Sequence, residues 1–190
     1  MNDIIIKNLN IEFDGSAVIK DFSHVFHSGS TTCIMGASGC GKTTLINALL
    51  GIVKPHSGII EGMPVKVACV FQEDRLCECF SALTNVKIAA ASSFSKSEIE
   101  TLLNKLGITD FKKKVADFSG GMKRRVALAR AIAADSEVIL LDEAFKGLDD
   151  ESKENAQNIF IKYTAGKTVI AVTHDDGEAK RFDGEIIRLF

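Results

Sequence analysis

Hydrophobic and polar residues alternate along the first 26 residues of the chain. Leu9, Ile11 and Phe13 are separated by polar neighbours, and a second strand-like stretch over 17–26 follows the turn signal Asp14-Gly15. Alternation with a period of two is typical of a strand with one buried face, and a glycine-containing turn between two such stretches indicates a hairpin. The pattern therefore predicts an antiparallel β layer at the start of the chain.

The pattern then changes to short apolar stretches that alternate with segments of helical spacing. Buried strands are predicted at 31–35, 65–71, 137–141, 168–173 and 185–189, and helices at 43–50, 98–106, 122–134 and 151–163. Ser95 or Ser97 is the candidate N-cap of the second helix. Strands that alternate with helices are typical of βαβ units, so we predict an α/β fold with a mainly parallel sheet.

One segment in the middle of the chain departs from this alternation. Residues 73–117 have helical character and no strong strand, which predicts a small helical subdomain inserted into the core formed by 1–72 and 118–190. The chain has 190 residues, no internal repeat and no long linker, so we predict that 1–190 forms a single domain.

Composition and charge narrow the class of protein. No apolar run approaches the roughly 20 residues that span a bilayer, and the first residues show no secretory signal pattern. The 23 basic and 25 acidic residues are nearly balanced, which argues against a nucleic-acid-binding surface. The five cysteines lack the spacing of a zinc site, so free thiols in a cytosolic protein are expected.

A glycine-rich loop follows the strand predicted at 31–35 and precedes a predicted helix. It matches the pattern Gly-x-x-x-x-Gly-Lys-Ser/Thr of a P-loop NTPase core, and its residues are Gly36, Ala37, Ser38, Gly39, Cys40, Gly41, Lys42 and Thr43. Glycines let the backbone curl so that its N–H groups and the following helix N-terminus face a phosphate. Lys42 then supplies a cation for the phosphates, the Thr43 hydroxyl is a ligand for Mg²⁺, and Thr44 is placed to add a phosphate hydrogen bond.

Two carboxylates end the apolar stretch 138–141. A buried parallel strand delivers its carboxyl end to the ligand crevice of an α/β fold. Asp142 is therefore predicted to hold Mg²⁺, and Glu143 is the candidate general base for the attacking water. Because adjacent residues of a strand point to opposite sides, the two carboxylates are expected to have different roles.

A further motif resembles a known family. The stretch Ser119-Gly120-Gly121 precedes a helix rich in arginine and alanine, and it is similar to the signature Leu-Ser-Gly-Gly-Gln of the ABC ATPases. By itself such a stretch is only a good helix N-cap and anion site. Other marks of the family follow in the right order over nearly the whole chain: Phe13, Gln72, Asp149 and His174.

The resemblance implies a role for each of these positions. Gln72 resembles the Q-loop residue that senses Mg²⁺ and the attacking water, and His174 resembles the H-loop residue that contacts the γ-phosphate. Asp149 resembles the D-loop residue at the dimer seam. Phe13 resembles the aromatic residue that stacks on adenine, although it shares a strand face with Leu9 and Ile11, so packing in the core is an alternative.

The resemblance also implies a mechanism and partners. ATP with Mg²⁺ binds on residues 36–44 of one subunit and is covered by Ser119, Gly120 and Gly121 of a second subunit, either an identical copy or another ABC ATPase. Dimer closure on ATP then drives a separate membrane permease, and no nucleic acid is involved. The expected location is cytoplasmic, on the inner face of the membrane.

Some residues depart from the family pattern, and others indicate a branch. Met122 stands in place of the usual glutamine and Ala144 in place of the usual proline. Residues 71–76 and 83–86 look like the nitrate, sulfonate and taurine branch of import ATPases, so an importer subunit is favoured. An exporter subunit and a soluble ABC ATPase outside transport are the alternatives.

Overall fold

The computed structural model describes residues 2–189 of the chain. These residues form two compact units. The first contains the residues up to Val67, Glu137–Asp142 and the residues from Gly166 onward, and the second contains Ala68–Ser136 and Glu143–Ala165. Among the described residues, no helix has the length and apolar character needed to cross a bilayer.

The antiparallel layer predicted at the start of the chain belongs to the first unit. Strands β1 (Ile4–Phe13) and β2 (Ser16–Phe26) form the expected hairpin, and Asp14 and Gly15 take the left-handed backbone of its turn. A third strand, β4 (Ser57–Glu61), pairs with the other edge of β1, so the strand order is β2-β1-β4. This strand was not predicted, because most of its residues are exposed and show no apolar alternation.

The larger sheet is parallel and has the strand order β5-β6-β7-β3-β8. Its strands are β3 (Thr31–Gly36), β5 (Val67–Val70), β6 (Val138–Asp142), β7 (Thr168–Val172) and β8 (Glu185–Leu189). All five predicted strands are confirmed, although β5 starts two residues late because Val65 and Lys66 are exposed. Because β3, β6 and β7 run parallel, their carboxyl ends lie at one edge of the sheet.

Two helices of the first unit follow strands of this sheet. Helix α1 (Lys42–Leu49) comes after β3 and contacts β3 and β6. Helix α6 (Asp176–Arg181) comes after β7 and is capped by the side chain of Asp175. The sequence did not predict α6, because six residues are too few for a helical period to be visible.

The second unit contains four helices among the described residues. They are α2 (Ala82–Ala89), α3 (Lys96–Lys105), α4 (Gly120–Ala133) and α5 (Asp150–Tyr163), and a 3-10 turn at Val115–Asp117 precedes α4. Helix α4 contacts the other three. Ser95 is confirmed as the N-cap of α3, where it forms a reciprocal capping box with Glu98. The predicted helical subdomain 73–117 falls within this unit, and its bounds remain a prediction.

Candidate active site

The glycine-rich loop lies between the end of β3 and the start of α1, as predicted. Gly39 (φ 84°) and Gly41 (φ 97°) have left-handed backbone conformations that other residues rarely adopt. Gly36 is closely packed, since an added Cβ would lie 2.5 Å from the carbonyl oxygen of Leu189. No side chain of the described residues caps α1, and its first turn has no acidic residue, so its N-terminal N–H groups suit an anion.

Lys42 places its ammonium group under this loop. Its Nζ donates to the carbonyl oxygens of Gly36 (2.8 Å) and Ala37 (2.7 Å) and lies 3.9 Å from Sγ of Cys40. The side chain is buried. Carbonyl oxygens of the loop thus hold the ammonium group of Lys42 at its centre. A phosphate bound in the loop would contact both the backbone N–H groups and this cation.

The first unit also supplies oxygen ligands that suit Mg²⁺. Asp142 ends β6 and is only 2 % exposed, whereas Thr43 in the first turn of α1 is exposed to solvent. Among residues 2–189 there is no preformed cluster of three or more His, Cys, Asp or Glu side chains. A hydroxyl and a single carboxylate fit Mg²⁺, because this ion commonly binds one or two carboxylates together with substrate phosphates.

The structure brings His174 close to the phosphate loop. His174 follows β7, and a cavity of about 350 Å³ is lined by this residue together with Gly36, Ala37 and Arg188. A second cavity, of about 480 Å³, lies beside Cys40 and residues 17–23 and is also lined by Arg188. Arg188 belongs to no motif that the sequence shows, and the pairing of β8 with β3 brings it to the loop.

Phe13 lies at the end of β1, in the same unit. The residue is 46 % exposed, although Leu9 and Ile11 on the same strand are fully buried. The alternative prediction, that Phe13 packs in the core, is therefore wrong. An exposed ring has a free face on which a planar base can stack, so adenine stacking stays a prediction.

The second unit contains Glu143, which follows Asp142 directly. We expected both carboxylates on one strand, but β6 ends at Asp142 and Glu143 has a left-handed backbone (φ 48°) outside the strand. Its Oε2 accepts a hydrogen bond of 2.6 Å from Nζ of Lys146. No pattern in the sequence predicted a role for Lys146.

The signature residues start helix α4 in the same unit. The hydroxyl of Ser119 caps the helix by accepting from the N–H of Met122, and Ser119 and Gly120 are exposed. An added Cβ on Gly121 would lie 3.5 Å from Cδ2 of Leu148. The signature thus lies beside the loop 143–149, at whose end Asp149 caps α5 by accepting from the N–H of Ser152.

Two arginines of α4 hold the segment that contains Gln72. Arg124 donates to the carbonyl oxygens of Phe71 (2.6 Å) and Gln72, and Arg130 donates to those of Asp74 and Arg75. Arg124 is buried. The sequence contained a signal for it, because Arg124 precedes the buried residues Leu128 and Ala131 by four and seven positions, on the same helix face.

Comparisons with known proteins agree with this arrangement of motifs. The family model described as "ABC transporter" matches residues 19–146. The chain is 37 % identical to the taurine import ATP-binding protein TauB of Jannaschia sp. (strain CCS1), over 94 % of this chain and 74 % of that protein. It is 33 % identical to the protein of the same name from Escherichia coli O157:H7, over 97 % of this chain and 78 % of that protein.

Solved structures show the same fold. The dimeric bacterial ABC transporter cassette MJ0796 matches with a TM-score of 0.86 and 27 % identity, over 98 % of this chain and 94 % of that one. Its post-hydrolysis state, bound to ADP and Pi, matches equally well. An ATP-bound bacterial Atm1-family ABC exporter also has a TM-score of 0.86, but its identity of 22 % supports likeness of fold alone.

Proposed function

This chain belongs to the ABC transporter family of ATP-binding proteins, and we propose that it is the ATP-hydrolysing subunit of an importer. The observation that carries the proposal is the phosphate loop at the start of α1, with the buried Lys42 ammonium beneath it and His174 at its side. Within the family, the relatives named as import ATP-binding proteins favour an importer over an exporter.

We assign the parts of the reaction as follows. The triphosphate binds to the N–H groups of residues 36–44 and to Lys42, while Thr43 and Asp142 hold Mg²⁺ with help from Gln72. The ion neutralises charge on the phosphate oxygens when it is bound. Glu143 accepts a proton from water, whose oxygen bonds to the γ-phosphorus as the bond to ADP breaks. ADP and phosphate are the products, and His174 orients the γ-phosphate.

The second unit supports a composite site shared by two copies. Ser119 and Gly120 are exposed at the N-terminus of α4, a 14-residue helix with no acidic residue in its first turn, so this end attracts anions. We propose that these residues and Gly121 cover ATP bound to the phosphate loop of another copy, with Asp149 at the seam. ATP then favours the closed dimer, because the closed state gains phosphate contacts that the open state lacks.

The proposed partner that moves the cargo is a membrane permease. The importer-named relatives favour this partner. A cytoplasmic position on the inner face of the membrane, held by the permease, follows from the same proposal.

Glu143→Gln tests the proposal. The amide keeps the size of the side chain but cannot accept a proton, so ATP binding should be retained and hydrolysis should fall by roughly 10²–10⁴-fold. The variant should also accumulate as an ATP-dependent dimer on gel filtration, because ATP is bound but not consumed. Turnover close to that of the unmodified chain would rule out Glu143 as the base.

A further inference from the structure

The loop after Glu143 contains a cation that contacts the proposed general base. Nζ of Lys146 lies 2.6 Å from Oε2 of Glu143, and the two side chains are 52 % and 17 % exposed. We propose that Lys146 is a positioning residue that restrains the Glu143 carboxylate before hydrolysis and must release it for the reaction. The proposal rests on the role assigned to Glu143 above.

The backbone of this loop fixes the geometry of the pair. Glu143 turns the chain with its left-handed backbone, and the N–H of Lys146 donates to the carbonyl oxygen of Glu143 at 3.1 Å. Between them, Ala144 and Phe145 are buried, and the Phe145 ring packs edge-on against Phe160 with centroids 6.0 Å apart. The turn is thus held by its backbone and by the core, and the ion pair is not needed to form it.

The contact occupies one of the two oxygens of the carboxylate that is proposed to act as the base. A general base must be within hydrogen-bonding reach of the proton that it accepts. While Oε2 accepts from the ammonium group of Lys146, it is oriented toward the loop and one of its acceptor positions is occupied. Because Lys146 is half exposed, its ammonium group can move into water, so the restraint is weak and reversible.

The same loop touches the signature. Leu148 lies two residues after Lys146 and packs beside Gly121 at the start of α4. A partner copy that closes over the signature would press on this loop. Release of Glu143 from Lys146 would therefore be tied to dimer closure, and hydrolysis before closure would be suppressed.

The test compares Lys146→Gln with Lys146→Arg and with Lys162→Gln, which removes an exposed lysine elsewhere in the same unit. ATP turnover of the full chain is measured at saturating ATP and over a series of ATP concentrations. We expect kcat of K146Q to rise about two- to fivefold with KM unchanged, the range that the strength of exposed ion pairs allows. K146R should keep the low turnover, because its guanidinium can restore the pair, and K162Q should match the unmodified chain.

Two further measurements distinguish the proposal from its premise. Added salt screens a half-exposed pair, so turnover of the unmodified chain should approach that of K146Q as ionic strength rises. The double variant E143Q/K146Q should be as inactive as E143Q. An unchanged or lower kcat in K146Q, with normal thermal stability, would overturn the restraint, whereas full activity of E143Q alone would overturn the assignment of the base.

Discussion

Arg124 allows a prediction whose size can be worked out from the structure. Its guanidinium donates to the carbonyl oxygens of Phe71 and Gln72, and its Nε lies 3.2 Å from Oδ1 of Asp74. Arg124→Met keeps most of the length of the side chain but removes all three interactions. Removing one partner of a buried ion pair lowers the free energy of unfolding by about 3–5 kcal/mol. Because Asp74 keeps some contact with water, we expect the lower end, about 3 kcal/mol.

The thermal midpoint measures this loss. At about 2–4 °C per kcal/mol for a chain of this size, R124M should melt about 6–12 °C below the unmodified protein. Arg125→Met is the matched control on the same helix. Arg125 donates to the carbonyl oxygens of Leu106 and Gly121 and has no ion pair among the described residues, so R125M should lower the thermal midpoint by less than R124M does.

A double variant separates the charge from the packing. If the unpaired Asp74 carboxylate causes most of the loss, Asp74→Asn should recover part of the stability of R124M, because the amide needs no counter-ion. An R124M chain that melts no lower than R125M would refute the reasoning.

Two other predictions concern a thiol and a helix cap. Alkylation of Cys40 should abolish binding of a fluorescent ATP analogue in a chain in which Cys69, Cys77 and Cys79 are replaced by serine, and ATP should slow the labelling. Cys33 should stay unlabelled, because it is buried and burial raises its pKa to about 11. Binding that survives labelling of Cys40 would contradict this assignment. Glu98→Ala should lower the urea midpoint at neutral pH, because it removes the carboxylate that accepts from the N–H of Ser95. Hydrogen bonds from Ser95 lower the pKa of Glu98 below its ordinary value of 4.5, so this stabilisation is present above pH 4.5 and is lost as the pH falls through the lowered pKa. A difference between E98A and the unmodified chain that does not shrink in acid would contradict the role of the carboxylate in the capping box.

The elements that the sequence predicted are those with a local signal. Buried strands such as β6 and β7 are continuous apolar runs, and α4 and α5 have helical spacing over three or more turns. Strand β4 has no such signal, because it is largely exposed and exists through its pairing with β1 about fifty residues earlier. Non-local hydrogen bonding of this kind cannot be deduced from periodicity.

The residues of the candidate site also divide into those with a local signal in the sequence and those placed by non-local contacts. The phosphate loop, the signature and Asp142 are contiguous with the elements that present them, so their chemistry can be predicted from spacing. The contacts of Arg124 with the segment 71–74 join residues about fifty positions apart. An arginine in a basic helix is usually a solvated residue, and only its place on the apolar face of α4 distinguishes it.

The two adjacent carboxylates show how the backbone assigns chemistry to similar side chains. Asp142 is the last residue of a buried strand, and a carboxylate without contact to bulk water suits a fixed ion ligand. Glu143 begins a turn at φ 48°, where its side chain leaves the strand pattern and stays partly exposed. A general base must change its hydrogen-bond partner during the reaction, and a partly exposed side chain such as that of Glu143 can do so more readily than a fully buried one. The end of β6 thus gives the two carboxylates different surroundings, which fits the separate roles of ion ligand and base proposed for them.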